Sequence, residues 1–357
     1  MKKCLALILG AAMVLSGCGG SSSSSADAAS SNNTLKLYNW GEYMGEDFIS
    51  NFEKEYDAKV ICEYFDSNEM MYTKVQAGDK YDVLVPSDYM IERLMNEDLL
   101  QPINKDEIPN MENLADGVKN LDYDPDNTYS VPYFWGNVGI VYDKNNVSEA
   151  DLKKEGWNIL KDERYKGDEY IYDSERDSFM MAFKALGYSM NTDNEDEINA
   201  AYEWLLELNN TMEPAYVTDE VIDNMANGMK SLAVVYSGDA AYILSQNEDM
   251  GFFMPEEGTN LWSDAMVIPA NAENPELANK FINYVLSYDA SYGNSEYVGY
   301  ASSNKEVLED MSSEGGDYYE NEAYLPRTDN PKDEIFHDNE TLRAKLSELW
   351  IKVKAAK

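Results

Sequence analysis

The stretch "YDVLVPSDYMIERLMNEDLL", residues 81–100, decides the fold that the sequence predicts. Its first part, Tyr81–Pro86, is mostly apolar, which is typical of a strand buried on both faces of a parallel sheet. From Asp88 onward the apolar residues follow a helical spacing, so a helix is expected directly after the strand. A strand of this kind requires parallel neighbours in the sheet and helices that cover its faces.

The residues before this stretch repeat the same alternation. "LKLYN" (35–39) and "KVICEYF" (59–65) predict two more strands, and "GEDFISNFEKEY" (45–56) between them predicts an amphipathic helix. Ser67 is a suitable N-cap for the helix that precedes Tyr81. The order is therefore βαβαβα, which is how an open α/β lobe begins.

A second α/β block follows an extended segment, Tyr129–Asp143. Strands are predicted at 168–173, 231–236 and 250–255, with helices near 177–187, 195–208, 218–226 and 239–246, and further helices from 275 onward and near 340–353. Residues 262–272 return as an extended run. Two blocks joined by two extended crossings predict two hinged lobes around a cleft. The predicted lobe 1 comprises residues 34–136 and 263–302, and the predicted lobe 2 comprises residues 137–262 and 303–357.

The amino terminus predicts export and anchoring. Two lysines, an apolar run at residues 5–14 and "LSGC" (15–18) indicate a signal peptide over residues 1–17, because the run is too short to span a bilayer as a permanent helix. "LSGC" resembles the bacterial lipobox, which makes Cys18 the expected lipidation site. Residues 18–33 are rich in Gly and Ser, a composition that predicts a flexible tether. An ordinary secretory signal with an incidental cysteine is the alternative.

Charge and composition exclude several classes of function. The net charge of −39 repels nucleic acid and anionic lipid. The single histidine, His337, removes His-based zinc sites and makes a Ser-His-Asp triad improbable, and no Gly-rich phosphate-binding stretch is present. "DYDPDN" (122–127) lacks the glycine and the glutamate of a calcium loop and is read as a polar turn. Neither a metal nor a cofactor is expected.

Aromatic and acidic residues gather where predicted strands end. Trp40, Glu42 and Tyr43 follow the first strand, and "SDY" (87–89) follows the third. Ligands of open α/β sheets bind at the carboxyl ends of the strands. An extended polycation needs carboxylates for its ammonium groups and flat apolar walls for its methylenes, and Tyr and Trp rings add cation–π attraction. Taken singly, each aromatic is more often a core residue than a ligand wall.

Five stretches resemble the substrate-binding proteins of polyamine (spermidine/putrescine) ABC importers: "LYNWGEYM", "SNEMMYTKVQAGDKYDVLVPSDY", "YSVPYFWG", "LWSDAMVIPANA" and "EYVGYASSN". The resemblance implies a two-lobed periplasmic-binding fold of type II-like architecture that closes on its ligand. It also implies a monomer that delivers a polyamine to the permease subunits and has no enzymatic activity. The ligand-binding residues that it implies are Trp40, Tyr43, Ser87, Tyr89, Asp177, Tyr236, Asp239, Trp262, Asp264 and Tyr300, with Glu42, Asp88, Ser174 and His337 as weaker candidates.

The sequence departs from the spermidine-binding pattern at three places. Ser174 stands where those relatives carry an aspartate, and strand alternation is expected to turn the neighbouring Asp173 to the other face. Tyr236 replaces a tryptophan, while Asp239 matches an acid of putrescine-binding relatives. His337 falls near a ligand-contacting glutamine. These departures favour a polyamine specificity that includes putrescine.

Two alternatives remain open at this point. The first is a receptor for another small organic cation, and the expected wall contains no base, which counts against zwitterions. The second is a surface glycoside hydrolase that uses paired carboxylates. For the polyamine receptor the expected location is the cell envelope, in the periplasm or on the outer face of the cytoplasmic membrane, with the protein held there by its N-terminal lipid.

Overall fold

The structure is a computed structural model that describes residues 33–41 and 43–356. A mixed sheet of eleven strands forms the frame of these residues. The strands are β1 (Thr34–Trp40), β2 (Lys59–Phe65), β3 (Val83–Leu84), β4 (Leu100–Gln101), β5 (Ser130–Asp143), β6 (Glu169–Tyr172), β7 (Ala215–Val217), β8 (Leu232–Tyr236), β9 (Met250–Phe253), β10 (Leu261–Pro269) and β11 (Ala301–Ser302). The main path runs in the order β2-β1-β3-β10-β5-β8-β6-β7.

Helices cover the sheet on its faces, as an α/β architecture requires. They are α1 (Phe48–Tyr56), α2 (Asn68–Gln76), α3 (Asp88–Asn96), α4 (Glu149–Glu155), α5 (Glu175–Ala185), α6 (Glu195–Met212), α7 (Glu220–Ala226), α8 (Ser237–Gln246), α9 (Pro275–Val285), α10 (Tyr288–Val298), α11 (Lys305–Ser312) and α12 (Glu340–Ala355). Among residues 33–41 and 43–356, none of these helices combines the length and the apolar character that crossing a membrane requires.

The opening βαβαβα order is confirmed. Strand β1 pairs in parallel with β2 and with β3, so the carboxyl ends of all three lie at one edge of the sheet. Ser67 caps α2, as predicted, by accepting a hydrogen bond from the backbone N–H of Met70.

The strand expected over Tyr81–Pro86 is shorter than predicted, and only Val83–Leu84 form its ladder. Asp82 ends it on one side, because its carboxylate accepts hydrogen bonds from the backbone N–H groups of Lys36, Glu273 and Asn274. Pro86 ends it on the other side, because proline has no backbone N–H to donate.

Strand β5 links two halves of the sheet. Its residues from Ser130 to Asn137 pair with β10, and its residues from Val138 to Tyr142 pair with β8. The change of partner falls at the boundary predicted between the two lobes. Residues Asn33–Lys357 nevertheless pack as a single compact unit, so the division into lobes stays a prediction.

The "DYDPDN" segment forms a turn around a buried acid. The Asp124 carboxylate accepts hydrogen bonds from the backbone N–H groups of Thr128, Tyr129 and Ser130, and from the Ser130 hydroxyl. These bonds account for the acid without a bound ion.

Several predictions concern residues outside the described ranges. These are the signal peptide (1–17), the lipidation site Cys18, the tether up to residue 32 and the candidate Glu42.

Candidate functional site

A cleft of ≈ 880 Å³ opens where the carboxyl ends of β1 and β3 face the ends of β6 and β8. It brings together ten residues that the sequence singled out: Trp40, Tyr43, Ser87, Tyr89, Asp177, Tyr236, Asp239, Trp262, Asp264 and Tyr300. Two of the weaker candidates, Asp88 and Ser174, also line it. The fold therefore gathers residues that lie more than 250 positions apart in the chain, from Trp40 to Tyr300.

Asp264 lies on β10 at a register shift between Asp264 and Ala265. Such a bulge redirects a side chain without ending the strand. The Tyr43 hydroxyl donates a hydrogen bond of 2.7 Å to Asp264 Oδ2, and Tyr133 holds Tyr43 in turn by donating to its carbonyl at 2.5 Å. Asp264 is only 8% exposed, so its charge is poorly solvated.

Asp239 lies in the first turn of α8 and pairs with a second tyrosine. The Tyr300 hydroxyl donates to Asp239 Oδ1 at 2.9 Å. Gly238 permits this contact, because a Cβ built there would lie 1.2 Å from Tyr300 Cδ1. The glycine is thus needed to seat the ring against the start of the helix.

Asp177 lies in the first turn of α5 and accepts hydrogen bonds from three side chains. The Tyr236 hydroxyl and the Ser174 hydroxyl donate to Asp177 Oδ2 at 2.7 and 2.8 Å, and Asn260 Nδ2 donates to Oδ1 at 3.3 Å. Ser174 is also the N-cap of α5 and accepts from the Asp177 backbone N–H. Ser174, which stands where spermidine-binding relatives carry an aspartate, therefore caps helix α5 in this protein.

The tyrosines that bind these acids form a row of rings with Trp262. The Tyr43 and Tyr300 centroids lie 5.8 Å apart, Tyr300 and Trp262 5.2 Å, Trp262 and Tyr236 6.1 Å, and Tyr236 and Tyr172 5.1 Å. These spacings are typical of edge-to-face and tilted aromatic contacts. The row gives the cleft a continuous aromatic wall with a carboxylate beside each tyrosine.

Burial raises the pKa of three acids of the cleft, namely Asp88, Asp239 and Asp264. It raises the pKa of Asp239 and of Asp88 to about 7, and that of Asp264 to about 6. The Tyr300 hydroxyl bond acts in the opposite direction on Asp239, and the Ser87 and Tyr43 bonds do so on Asp264. A cation placed beside these groups would restore the ionised form.

On the side of the predicted lobe 1, Trp40 and Tyr89 form the wall of the cleft. Trp40 packs on Phe65, with 4.5 Å between centroids, and its indole N–H donates to the Val85 carbonyl at 2.9 Å. The Arg176 guanidinium stacks 3.6 Å from the Tyr89 ring centre. Trp135, another tryptophan at a predicted crossing, lies instead in the core, with its indole N–H on the Ser302 carbonyl.

Two expectations about charge in the cleft are wrong. Arg176 and Lys354 both line it, so the wall is not free of bases. Asp173, expected to point away, also lines the cleft, because it follows the end of β6 and no longer obeys strand alternation. Nine acids face these two bases in the lining: Asp66, Glu69, Asp88, Asp173, Glu175, Asp177, Asp219, Asp239 and Asp264.

His337 does not line this cleft. Its ring Nδ1 lies 3.2 Å from Glu92 Oε2, beside a smaller cavity behind Tyr89 and Arg176. The hydrogen bond to Glu92 raises the pKa of His337. The loose correspondence to a ligand-contacting glutamine therefore does not place this side chain in the cleft.

Sequence reasoning missed several lining residues. The Tyr172 hydroxyl donates to Asp219 Oδ1 at 3.1 Å, which adds a fourth tyrosine–aspartate pair, and Asn260, which directly precedes β10, donates to Asp177. The available signal was position, because Tyr172 ends β6 as Trp40 ends β1. Lys354 and Trp350 carried no such signal, because they come from the last helix.

Comparison with known proteins relates the chain to bacterial solute-binding proteins. The family described as bacterial extracellular solute-binding protein matches residues 47–323. The spermidine/putrescine-binding periplasmic protein of Escherichia coli is 35% identical over 285 residues, which cover 79% of this chain and 81% of that protein. The putrescine-binding periplasmic protein PotF of the same species is 30% identical, covering 88% and 87%.

Solved structures agree with these relatives. A putative spermidine/putrescine ABC transporter from Listeria monocytogenes superposes with a TM-score of 0.80 at 36% identity, covering 91% of this chain and all of that one. The spermidine/putrescine substrate-binding protein PotD of Streptococcus pneumoniae gives a TM-score of 0.77 at 34% identity, covering 91% and 99%. The TpPotD lipoprotein of Treponema pallidum gives 0.75 at 25% identity, covering 90% and 99%. The resemblance and the periplasmic-binding fold predicted from the five sequence stretches are confirmed.

Proposed function

The chain belongs to the family of bacterial extracellular solute-binding proteins, and on that premise we propose that it captures a polyamine, putrescine or spermidine, and delivers it to an ABC importer. The relatives that support this ligand are named for spermidine and putrescine binding. The family consists of solute-binding proteins, which supports capture rather than catalysis as the task of the cleft.

One observation carries the proposal, namely the buried and half-buried carboxylates along an aromatic wall. Asp239 and Asp264 each accept a hydrogen bond from a tyrosine that also contributes its ring to the wall. A buried carboxylate is costly unless it is paired with a cation, and an ammonium group supplies both the charge and the donors. The rings of Tyr300, Trp262 and Tyr236 provide the flat surface against which a methylene chain packs.

Capture is expected to bring the two predicted lobes together. Tyr43 and Trp40 come from the predicted lobe 1, whereas Tyr236 and Asp239 come from the predicted lobe 2. A ligand that contacts both sides binds the closed state more tightly and so shifts the population toward it. The importer would then recognise the closed, loaded form.

We place the protein on the outside of the membrane, anchored by lipid at Cys18. The lipobox-like "LSGC" supports this anchor, and the Treponema pallidum relative is named as a lipoprotein. The Escherichia coli relatives are named as periplasmic proteins. Mass spectrometry of Cys18-containing material from membranes would test the anchor, and an unmodified cysteine would contradict it.

The function is tested by isothermal titration of the unit Asn33–Lys357 with putrescine, cadaverine, spermidine and spermine. We expect saturable one-to-one binding of at least one of them. The thiamine cation tests the rival cation receptor, γ-aminobutyric acid tests whether Arg176 and Lys354 support a zwitterion, and a glycoside panel tests hydrolysis. Absence of binding by all four polyamines would contradict the proposal.

A further inference from the structure

We infer that the cleft selects diamines over triamines, because Lys354 and the donors around Asp177 already occupy the acids that a third ammonium group would need. This inference rests on the proposed polyamine-binding function and specifies which members of that ligand class the site accepts. It assigns the role of a specificity-determining residue to a lysine of the C-terminal helix.

Asp173 is neutralised by the protein itself. Lys354 Nζ lies 2.7 Å from Asp173 Oδ1 and 3.0 Å from Oδ2, so a single ammonium group spans both oxygens. The Trp350 indole N–H donates to the same Oδ1 at 3.0 Å, and Lys354 also lies 5.5 Å from the Trp350 ring centre. This arrangement, an ammonium between a carboxylate and an aromatic face, is the one that a bound amine would otherwise adopt.

Asp177 is also occupied. Ser174, Tyr236 and Asn260 together supply it with three hydrogen bonds, against roughly four acceptor positions on a carboxylate. Asp177 is 5% exposed and holds the Tyr236 ring in the wall. It acts as a positioning residue for that ring and leaves little capacity for an ammonium group.

Asp239 and Asp264 differ from these two acids. Asp239 accepts one hydrogen bond from the described residues, at Oδ1, and Asp264 accepts two, from the Tyr43 hydroxyl at Oδ2 and from the Ser87 hydroxyl. No base lies within ion-pairing distance of either carboxylate in the described part of the chain. Buried Asp264 and half-buried Asp239, both with free acceptor capacity, match the two ends of a diamine.

The other acids of the lining do not replace the occupied pair. Asp219, Asp66 and Glu69 are exposed and Glu175 is half-buried. As at the exposed Asp173, water competes for such charges and salt screens them. Asp88 is buried beside Asp264 and accepts from the Ser263 backbone N–H, so it belongs to the same end of the site. A third ammonium group would approach Lys354 instead and be repelled.

The test is titration of putrescine and spermidine into the wild-type unit Asn33–Lys357 and into Lys354→Gln. Wild type is expected to bind putrescine at least tenfold more tightly than spermidine. In Lys354→Gln the freed Asp173 is expected to raise spermidine affinity about tenfold, with putrescine affinity changed less than threefold. Tyr236→Phe keeps the ring and frees an acceptor position on Asp177, and is expected to raise spermidine affinity further in the double variant.

Lys352→Gln is the matched control. It makes the same charge change on the same helix, but Lys352 pairs with Glu348 outside the cleft. An unchanged spermidine-to-putrescine ratio in Lys354→Gln, or an equal change in Lys352→Gln, would overturn the inference. So would a wild type that binds spermidine as tightly as putrescine. If the wild type bound no polyamine at all, the proposed function itself would fail.

Discussion

At the scale of single residues, the tyrosine hydroxyls decide what the cleft carboxylates can do. Tyr43, Tyr300 and Tyr236 donate to Asp264, Asp239 and Asp177 over distances of 2.7, 2.9 and 2.7 Å. A neutral donor does not cancel the charge of a carboxylate, so Asp264 and Asp239 still attract a cation through their remaining acceptor positions. The three donors on Asp177 leave it little room for an ammonium group. Lys354 has the opposite effect on Asp173, because it supplies a full charge.

Asp264→Asn is expected to weaken putrescine binding on the order of 100-fold, because truncating one partner of a buried charge pair costs roughly 2–5 kcal/mol. The amide keeps the size of the side chain and removes its charge. Titration calorimetry measures the loss. Asp193→Asn, an exposed acid away from the cleft, is the control and is expected to bind as wild type. Unchanged affinity in Asp264→Asn would remove this residue from the site.

Putrescine affinity is expected to fall as the pH is lowered from 8 to 5. Burial raises the pKa of Asp239 to about 7 and of Asp264 to about 6 in the empty cleft, so both carboxyls gain protons over this window. The ligand ammonium groups stay charged throughout, since amines of this kind titrate near pH 10. Because both acids must be ionised, we expect a loss on the order of 1,000-fold between pH 8 and pH 5, about 100-fold from Asp239 and about 10-fold from Asp264.

Binding must also release protons near neutral pH, because the ligand favours the ionised acids. Titrations at pH 6.5 in two buffers of different ionisation enthalpy measure this release directly. The Asp264→Asn variant should release fewer protons than wild type. Identical heats in both buffers would show that the acids are already ionised in the empty cleft.

At the scale of secondary-structure elements, residues at the ends of several strands form the site, whereas one strand begins with a buried acid that is not part of the site. Strand β6 begins at Glu169, which is 0% exposed, and its carboxylate oxygens accept no hydrogen bond within the described residues. Burial raises the pKa of Glu169 to about 8. The folded state therefore holds a proton that the unfolded state loses above about pH 4.3.

Glu169→Gln is expected to stabilise the protein above pH 6. Between about pH 4.3 and 8 the folded state binds more protons than the unfolded state, so the free energy of unfolding falls as the pH rises. The amide of glutamine does not ionise, so the variant does not lose stability in this way as the pH rises. We expect its free energy of unfolding to exceed that of wild type by on the order of 2 kcal/mol at pH 8 and by less at pH 5. Urea denaturation at both pH values measures it.

Glu203→Gln is the control for this stability measurement. Glu203 is exposed on α6, so its substitution should leave the free energy of unfolding nearly unchanged at either pH. A Glu169→Gln variant with equal or lower stability than wild type at pH 8 would show that Glu169 is satisfied in solution.

At the scale of the whole molecule, the cleft lies between the two predicted lobes, and the extended strands β5 and β10 connect them. Strand β5 changes its partner from β10 to β8 between Asn137 and Val138. Beyond the strands, Glu92 of α3 accepts from the His337 ring at 3.2 Å and from the Asp338 backbone N–H at 2.7 Å. These bonds join the predicted lobe 1 to the predicted lobe 2 beside the smaller cavity that Tyr89 and Arg176 line.

Putrescine is expected to reduce the radius of gyration of the wild-type protein, because contacts to both lobes favour the closed form. Small-angle X-ray scattering with and without ligand measures the change. Asp264→Asn at the same ligand concentration should stay at the ligand-free value. A wild-type radius that does not respond to saturating putrescine would contradict hinged closure.

Much of this protein follows from its sequence. The apolar run at 81–86 predicts the parallel strands, and the polar and aromatic residues after Asn39 and Pro86 predict a site at their carboxyl ends. Both predictions depend on local patterns that the residues themselves carry, namely a continuous apolar run for the strand and the polar and aromatic residues directly after it. The family resemblance then indicated ten cleft residues, all of which line the cleft.

Only the tertiary structure decided how those residues are paired. Tyr43 and Asp264 are 221 positions apart, and Lys354 reaches Asp173 across 181 positions, so neither contact leaves a periodic signal. Asp173 was expected to face away, because strand alternation cannot say where a strand ends. A carboxylate binds a ligand only if no nearer group has already satisfied it. That condition is set by packing in three dimensions, and it separates Asp239 and Asp264 from Asp173 and Asp177.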